Sequence, residues 1–277
     1  MAAQRVSDLY RTAFVTGAST GLGRAFTEML LAEGVRVWGT ARDSARLAAP
    51  SSRHPTLFTP VNLELRDGTA AMAIFEATAH QAGGFDLVIN NAGYGVFAEF
   101  VGPEFSVWEE QLEVMLLQPA RLSQAALRGM LLRGRGALVN ISSLAAEFPL
   151  PFQSAYNVTK AGLSALNESL MIELRGTGIV VLDVRPGDYR TDFEGSVQRP
   201  QTTPTPRMDR AWRAFNQMML SGPPPAHAAE QLRLALLRKR SGTVRIGRWF
   251  QAFLAPLFVR LLSLDLKRRI QERYFNV

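Results

Sequence analysis

The chain has 277 residues, a formal net charge of +7 and no cysteine, and 47% of its residues are apolar. The absence of cysteine excludes disulfides and thiolate metal sites, and the three histidines are scattered without the spacing of metal ligands. Basic residues are spread along the chain without an aromatic-interleaved recognition motif, so we expect no nucleic-acid partner.

The organisation of the chain indicates one domain. No linker, low-complexity segment or internal repeat divides residues 1–277, and α/β chains of this length often fold as a single unit. Residues 1–11 lack the apolar core of a signal peptide, so the simplest prediction is a cytoplasmic protein.

Strand and helix patterns alternate from residue 13 onward. Strands are predicted at 13–16, 35–40, 57–61, 87–89, 137–141, 180–184 and 243–246. Helices are predicted at 22–33, with Gly34 as the C-terminal stop, and at 69–81, 109–132, 154–175, 208–220 and 228–239. The alternation predicts an α/β fold, a doubly wound parallel sheet with helices on both faces and a ligand at the carboxyl ends of its strands.

A glycine turn joins the first strand to the first helix. Gly17, Gly21 and Gly23 follow the spacing Gly-x-x-x-Gly-x-Gly. Glycine allows the backbone to turn tightly and to approach a ligand, and a helix N-terminus binds phosphate groups. The turn therefore predicts a pyrophosphate site.

Tyr156 and Lys160 lie four residues apart on a predicted helix, with Ser143 thirteen residues before the tyrosine. Residues at this helical spacing share a face, so the ammonium can stabilise the phenolate and lower the pKa of the phenol. A serine hydroxyl beside them could bind a carbonyl oxygen on which charge develops. Ser142 competes for that place, although the spacing favours Ser143. These groups suit proton transfer to or from an alcohol oxygen.

Two further turns follow predicted strands, Asn90-Asn91-Ala92-Gly93 after 86–89 and Pro186-Gly187 after 180–184. With these motifs, the chain resembles the short-chain dehydrogenase/reductase family over about residues 10–195. The resemblance implies a Rossmann-type fold and catalysis by Ser143, Tyr156 and Lys160. The cofactor-binding residues that it implies are Gly17, Ser19, Thr20, Gly21, Leu22, Gly23, Arg42, Asn62, Leu63, Asn90, Ala92, Gly93, Tyr156, Lys160, Pro186, Gly187 and Thr191.

The end of the second strand indicates which nicotinamide cofactor is bound. Ala41 stands where NAD-dependent members of the family usually carry aspartate, and Arg42 follows it. A carboxylate there would repel a 2′-phosphate, whereas a guanidinium binds phosphate. We therefore expect NADP(H) rather than NAD(H). Asn62 stands where the family usually places an adenine-contacting aspartate.

The resemblance also implies a mechanism. Tyr156 would give a proton to the carbonyl oxygen that Ser143 polarises, while the nicotinamide supplies a hydride. Lys160 would keep the pKa of the tyrosine near the working pH and bind the nicotinamide ribose. Thr191 would hold the carboxamide.

Met115 departs from the family pattern, because it stands at the place of a fourth catalytic residue, an asparagine. A thioether cannot hold the water that passes protons to the lysine. Backbone carbonyls and water could relay protons alone, Gln118 could substitute, or the protein could bind the cofactor without turnover as a sensor or scaffold. A sugar-nucleotide epimerase or dehydratase shares the Tyr-x-x-x-Lys motif, but the glycine spacing counts against it.

Residues 190–226 are expected to form a substrate loop, and residues 248–277 a helical tail. The tail carries apolar residues at helical spacing, among them Leu257, Phe258 and Leu261, followed by basic residues at 267–269. Such a helix could dock on the core, seal the pocket, pair subunits or lie on an anionic membrane surface. The apolar residues that indicate a hydrophobic carbonyl or alcohol substrate are Phe193, Trp212, Phe215, Met218, Met219, Trp249 and Phe250.

The oligomeric state follows from the resemblance alone. The helices at 109–132 and 154–175 are the family's usual pairing surface, which implies a homodimer or homotetramer. The alternative is a monomer whose tail covers that surface.

Overall fold

A computed structural model describes residues 4–200, 203–254 and 262–277. Seven parallel strands form one sheet in the order β3-β2-β1-β4-β6-β7-β9. They are β1 (Thr12–Val15), β2 (Arg36–Ala41), β3 (Phe58–Asn62), β4 (Leu87–Asn90), β6 (Gly136–Ile141), β7 (Ile179–Pro186) and β9 (Gly242–Ile246). The order reverses its direction beside β1, as in a doubly wound sheet, so the predicted fold class is confirmed.

Helices cover both faces of the sheet. They are α1 (Gly21–Ala32), α2 (Ala48–Arg53), α3 (Gly68–Ala82), α4 (Phe105–Leu112), α5 (Gln118–Arg133), α6 (Ser154–Glu173), α7 (Pro206–Leu220), α8 (Pro225–Leu237) and α9 (Leu264–Phe275). Alternate residues of β1 enter opposite cores: Ala13 and Val15 pack with α1 and α8, and Phe14 packs with α3 and α5. Burial on both faces explains why the strands read as continuous apolar runs.

The helix predicted at 109–132 begins four residues earlier and contains a wide π-turn at Glu113–Leu117. Pro119 explains the turn, since it has no N–H to give the carbonyl of Met115 and its ring crowds that carbonyl. The N–H of Gln118 bonds instead to the carbonyl of Glu113. The wide turn places Met115 in the wall of the site described below.

Two short strands are absent from the sequence-based prediction. β5 (Gly95–Val96) pairs with β8 (Val197–Gln198), and this two-residue ladder ties the start of the substrate loop to the loop after β4. Two residues are too few to show a period in the sequence.

The tail forms a π-turn at Phe250–Leu254 and then α9, which packs against α7. The predicted tail residues Leu257, Phe258 and Leu261 lie outside the described residues. Within the described parts of the chain, no helix has the length and apolar character needed to cross a bilayer.

Candidate active site

One large cavity of about 1260 Å³ opens at the carboxyl ends of the strands. Its walls include residues that directly follow β1, β2, β4, β6 and β7. Parallel strands end at the same edge of a sheet, so motifs far apart in the sequence meet there.

The glycine turn packs directly against the turn after β4. A Cβ at Gly23 would lie 2.1 Å from the carbonyl oxygen of Gly17 and 2.3 Å from Nδ2 of Asn91. Gly17 adopts a φ of +69°, a conformation that favours glycine. Thr16 joins the two turns, because its Oγ1 accepts bonds from the backbone N–H groups of Asn91 at 2.9 Å and Ala92 at 3.0 Å.

This arrangement leaves a backbone cradle at the start of α1. The side chain of Thr20 makes no capping bond to the first turn of the helix. The predicted residues that line the cavity around this cradle are Gly17, Ser19, Thr20, Gly21, Leu22, Gly23, Ala92 and Gly93. Unpaired N–H groups at a helix N-terminus suit a pyrophosphate.

Ser143, Tyr156 and Lys160 come together on the opposite wall. Ser143 follows β6, Tyr156 lies on the first turn of α6, and both line the cavity; the Ser143 hydroxyl donates to the carbonyl of Pro186 at 3.5 Å. Lys160 follows one turn later, and its Nζ lies 5.6 Å from the centroid of the Tyr156 ring. The hydroxyl of Ser142 instead donates to Oδ1 of Asp183 at 2.5 Å. The structure thus brings Ser143, and not Ser142, to the phenol.

The protonation of the pair differs from the sequence-based expectation. Burial raises the pKa of Tyr156 to about 12, although the bond from Ser143 lowers it. Burial also lowers the pKa of Lys160 to about 8, against the opposing charge of Asp183. Nζ of Lys160 donates to the carbonyl of Ile141 at 2.8 Å. The expected lowering of the phenol pKa by Lys160 is therefore not found, because desolvation dominates both groups.

Two arginines lie at the end of the cavity next to β2. Arg42 follows the strand, and Arg46 follows within the next turn, where Asp43 accepts a bond from the N–H of Ala45. Neither guanidinium pairs with an acidic side chain of the described residues. Arg46 was missed in the sequence, although a second basic residue four positions after Arg42 is the kind of signal that could have found it.

Three predicted polar residues have side chains outside the cavity. Asn62 is exposed at the end of β3, while its neighbour Leu63 lines the wall. Asn90 is buried, and its amide donates to Oδ1 of Asn140 at 2.8 Å and to Ser123 at 3.1 Å. The amide of Gln118 donates a 2.6 Å hydrogen bond to Glu113, and it lies beside the start of α3. Gln118 therefore cannot relay protons from the cavity.

Met115 fills part of the wall. Its sulfur accepts the backbone N–H of Tyr94 at 3.4 Å and the amide of Gln111 at 3.6 Å. Its methyl group lies 2.9 Å from the place that a Cβ of Gly93 would take. The thioether is thus a packing group of the site and offers no proton.

The loop after β7 supplies the far end of the site. Pro186, Gly187 and Thr191 line the cavity, and Thr191 lies against Gly21. Asp188 also lines it, and its Oδ2 accepts a 2.6 Å bond from the amide of Gln251. Asp188 directly follows the Pro-Gly turn, a sequence signal that could have identified it. Gln251 carries no such signal.

The remaining wall is mostly apolar and comes from the substrate loop and the tail. Phe193, Phe215, Met218, Met219 and Phe250 line it as predicted. Trp212 packs on Phe97 with ring centroids 5.0 Å apart, and Trp249 is 67% exposed, so neither lines the cavity. The tail contributes Leu262, Lys267, Ile270, Gln271, Tyr274 and Phe275 to the wall. The described part of the tail therefore covers the site.

Known proteins are similar to this chain in sequence and in fold. A family model described as short chain dehydrogenase matches residues 11–202. An uncharacterized oxidoreductase of Myxococcus xanthus is 36% identical over 197 residues, which are 69% of this chain and 77% of that protein. A 3-oxoacyl-(acyl-carrier-protein) reductase of Vibrio cholerae is 30% identical over 195 residues, 70% of this chain and 80% of that protein.

The solved structure of a short-chain dehydrogenase from Streptomyces avermitilis is 30% identical, with a TM-score of 0.82 over 95% of both chains. Among other solved structures with this fold, one is a complex with NADP and another a complex with NAD. The chain belongs to the short-chain dehydrogenase family and is an oxidoreductase of that family.

Proposed function

We propose that the protein is an NADP(H)-dependent oxidoreductase that interconverts a carbonyl group and an alcohol on a hydrophobic substrate. The observation that carries the proposal is one cavity that brings Ser143, Tyr156 and Lys160 together with the glycine turn. The apolar wall from Phe215 to Met219 supports the substrate class.

The residues of the cavity fit a nicotinamide dinucleotide. The cradle at Gly23 is closed to any side chain, because a Cβ there would meet backbone at 2.1 Å. That space admits only a group that approaches the bare backbone, as a pyrophosphate does. The cofactor, when bound, supplies the hydride in reduction and accepts it in oxidation.

The chain's own groups then handle the proton. With a pKa of about 12 the phenol of Tyr156 is protonated at neutral pH, so it can donate its proton to a carbonyl oxygen. The hydroxyl of Ser143 donates a hydrogen bond to the same oxygen and stabilises the charge that develops there. Lys160 places a group with a pKa of about 8 next to the tyrosine, where it can return a proton to the phenolate.

The preference for NADP(H) is proposed from three residues. Ala41 presents no carboxylate, and Arg42 and Arg46 offer two guanidinium groups at the end of the cavity. Two guanidinium groups without an acidic partner among the described residues match the charge of a 2′-phosphate.

Met115 favours a second candidate, a cofactor-binding sensor or scaffold without turnover. Met115 and Gln118 offer no relay within the cavity, so protons would have to reach Lys160 by water and backbone carbonyls. The carbonyl of Ile141 accepts a hydrogen bond from the Lys160 ammonium, and this contact supports proton delivery by water and backbone carbonyls.

The deciding experiment measures NADPH consumption with a broad panel of aldehydes and apolar ketones. Tyr156→Phe is the test variant and Tyr10→Phe, buried in the core beside α1, is the matched control. NADPH binding is confirmed for all three proteins. We expect turnover that Tyr156→Phe abolishes and Tyr10→Phe keeps. Tight binding without Tyr156-dependent turnover in either direction would support the sensor.

The proposal also covers the oligomeric state of the protein, whereas its cellular location rests on the sequence. Leu117 before α5 and Val158 on α6 are 44% and 45% exposed apolar residues on the helices expected to pair. We propose a homodimer or homotetramer through that surface, which light scattering of the purified protein would test. A cytoplasmic location stays a prediction from the sequence.

A further inference from the structure

The carboxyl group of Asp188 lies in the mostly apolar part of the cavity. Asp188 lies two residues after Pro186, whose carbonyl accepts the Ser143 hydroxyl at 3.5 Å. The charge of Asp188 also raises the pKa of Tyr156, as the smallest of the influences on that phenol. Asp188 therefore lines the same cavity as Ser143 and Tyr156.

The tail holds this carboxyl in place. The amide of Gln251 donates both to Oδ2 of Asp188 at 2.6 Å and to the hydroxyl of Tyr274 at 3.0 Å. Gln251 belongs to the π-turn of the tail and Tyr274 to α9. Three separate segments thus converge on one polar cluster inside the wall of the cavity.

Two oxygen atoms of this cluster, one on Gln251 and one on Asp188, have no hydrogen-bond donor among the described residues. Oε1 of Gln251 is buried and accepts no hydrogen bond from the described residues. Asp188 is half-buried, and its Oδ1 has no donor in the part of the chain that the structure describes. A buried acceptor without a donor is costly, and the cost grows when a bound apolar molecule displaces water from it.

The charge of the carboxyl is already balanced in part. Burial raises the pKa of Asp188, while the bond from Gln251 and then the charge of Arg248 oppose that rise. The ligand therefore needs no cationic group here, but it needs a neutral hydrogen-bond donor for the unpaired oxygens. The surrounding Phe215, Met219 and Phe250 supply apolar contacts only. A wholly apolar ketone would leave both acceptors unpaired.

We propose that Asp188 and Gln251 form a polar subsite that binds a second hydroxyl group of the substrate, close to the reacting carbon. The substrate class is then a hydrophobic hydroxyketone, and the product of its reduction a diol. This inference rests on the proposed function, since it describes the same cavity.

The test compares α-hydroxyacetophenone with acetophenone, which lacks only the hydroxyl group. Binding is measured by calorimetry to the NADPH-loaded Tyr156→Phe protein, so the readout needs no turnover. We expect the hydroxyketone to bind about 10-fold or more tightly, as a hydrogen bond to a charged acceptor implies. Adding Asp188→Ala or Gln251→Leu should remove the preference. Glu76→Ala, an exposed acid on α3, is the charge control and should keep it.

Equal binding of the two ketones, binding of neither, or a preference that survives both variants would overturn the subsite. The proposed function is tested separately by turnover of the unmodified protein. Turnover of both ketones with equal kcat/KM would refute the subsite and leave the reductase standing. An Asp188-dependent binding preference without any turnover would refute the reductase and leave the subsite standing.

Discussion

Asp183 and Arg185, two residues apart on β7, form a buried ion pair in which Nε of the arginine lies 2.7 Å from Oδ2 of the aspartate. The aspartate is 0% exposed and also accepts bonds from Ser142 and Ser164, each at 2.5 Å. Arg185 continues the network to Glu147 at 2.6 Å and Glu168 at 2.8 Å. The network adjoins the site, because Asp183 bonds Ser142, the neighbour of Ser143, and its charge acts on the pKa of Lys160.

Asp183→Asn should therefore destabilise the protein strongly. Loss of the charge leaves Arg185 partly uncompensated in the core, which costs about 3 kcal/mol for a buried pair. Glu168→Gln removes a partner of the same arginine that is 62% exposed, and should cost less than about 1 kcal/mol. Denaturant unfolding of both variants measures the difference, and equal losses would show that burial does not control the network.

Lys160→Met should change the pH dependence of stability. The folded pKa of Lys160 is about 8, below the ordinary 10.5, so the folded protein binds fewer protons than the unfolded chain between these values. The contribution of Lys160 to the unfolding free energy therefore rises from pH 8 to 10.5 and is most unfavourable below 8.

We expect Lys160→Met to be more stable than the parent at pH 7 by on the order of 3 kcal/mol. The contribution of the lost hydrogen bond to Ile141 reduces this gain. The advantage should shrink towards pH 10. Lys239→Met, at an exposed position, is the control and should show a difference that does not vary with pH. Thermal unfolding at several pH values provides the measurement, and a constant difference for Lys160→Met would contradict the lowered pKa.

The two reaction directions should differ in their response to pH. Because the pKa of Tyr156 is raised to about 12, the protonated phenol needed for reduction is present throughout the neutral range. The phenolate needed for oxidation is scarce there and increases with pH. We expect kcat/KM for oxidation to climb from pH 7 to 10 by roughly tenfold per unit at its steepest, while loss of the Lys160 charge adds a change near its own pKa of about 8.

Ser143→Ala tests how the serine acts on the pKa of the Tyr156 phenol. The bond from Ser143 lowers the pKa of Tyr156, so its loss should move the oxidation profile to higher pH. The variant should also lose about 10²–10³ in kcat, the usual effect of removing one donor to a developing oxyanion. A profile that keeps its position would show that Ser143 does not act on the phenol.

Arg42→Ala and Arg46→Ala should each weaken NADPH binding about tenfold and leave NADH binding nearly unchanged. Both guanidinium groups lie at the same end of the cavity. Ala41→Asp should further disfavour NADPH, because a carboxylate repels the 2′-phosphate. Arg24→Ala, on the outside of α1, is the charge control. Equal losses for both cofactors would refute a phosphate-specific role.

Gly23→Ala should damage both folding and cofactor binding. Its Cβ would lie 2.1 Å from the carbonyl oxygen of Gly17, a backbone atom that cannot move aside. We expect a loss of about 2 kcal/mol or more in stability, in the upper range for overpacking, and much weaker NADPH binding. Gly242→Ala has no atom within 4 Å of its Cβ and should be tolerated. Fluorescence titration with NADPH and thermal melts compare the two, and a Gly23→Ala protein that binds normally would show that the cradle can widen.

The sequence by itself determined the succession of the seven strands of the main sheet and of most helices between them. Burial on both faces of a parallel sheet produces continuous apolar runs in the sequence, and these alternate with helical repeats. The sequence also located the glycine turn and the pair Tyr156 and Lys160, since turn chemistry and helical spacing act between near neighbours. These local rules predicted the fold class, whereas most of the cofactor-binding residues followed only from the resemblance to the family.

Only the tertiary structure decided the protonation of Tyr156, the inward direction of Asn90 and the cluster of Asp188, Gln251 and Tyr274. The raised pKa results from desolvation by segments that no local spacing can reveal. Asn90 is drawn inward by Asn140 on a neighbouring strand, and Gln251 reaches Asp188 from 63 residues away. Burial and contacts of this kind depend on how distant segments pack, which the pattern of any one segment does not record.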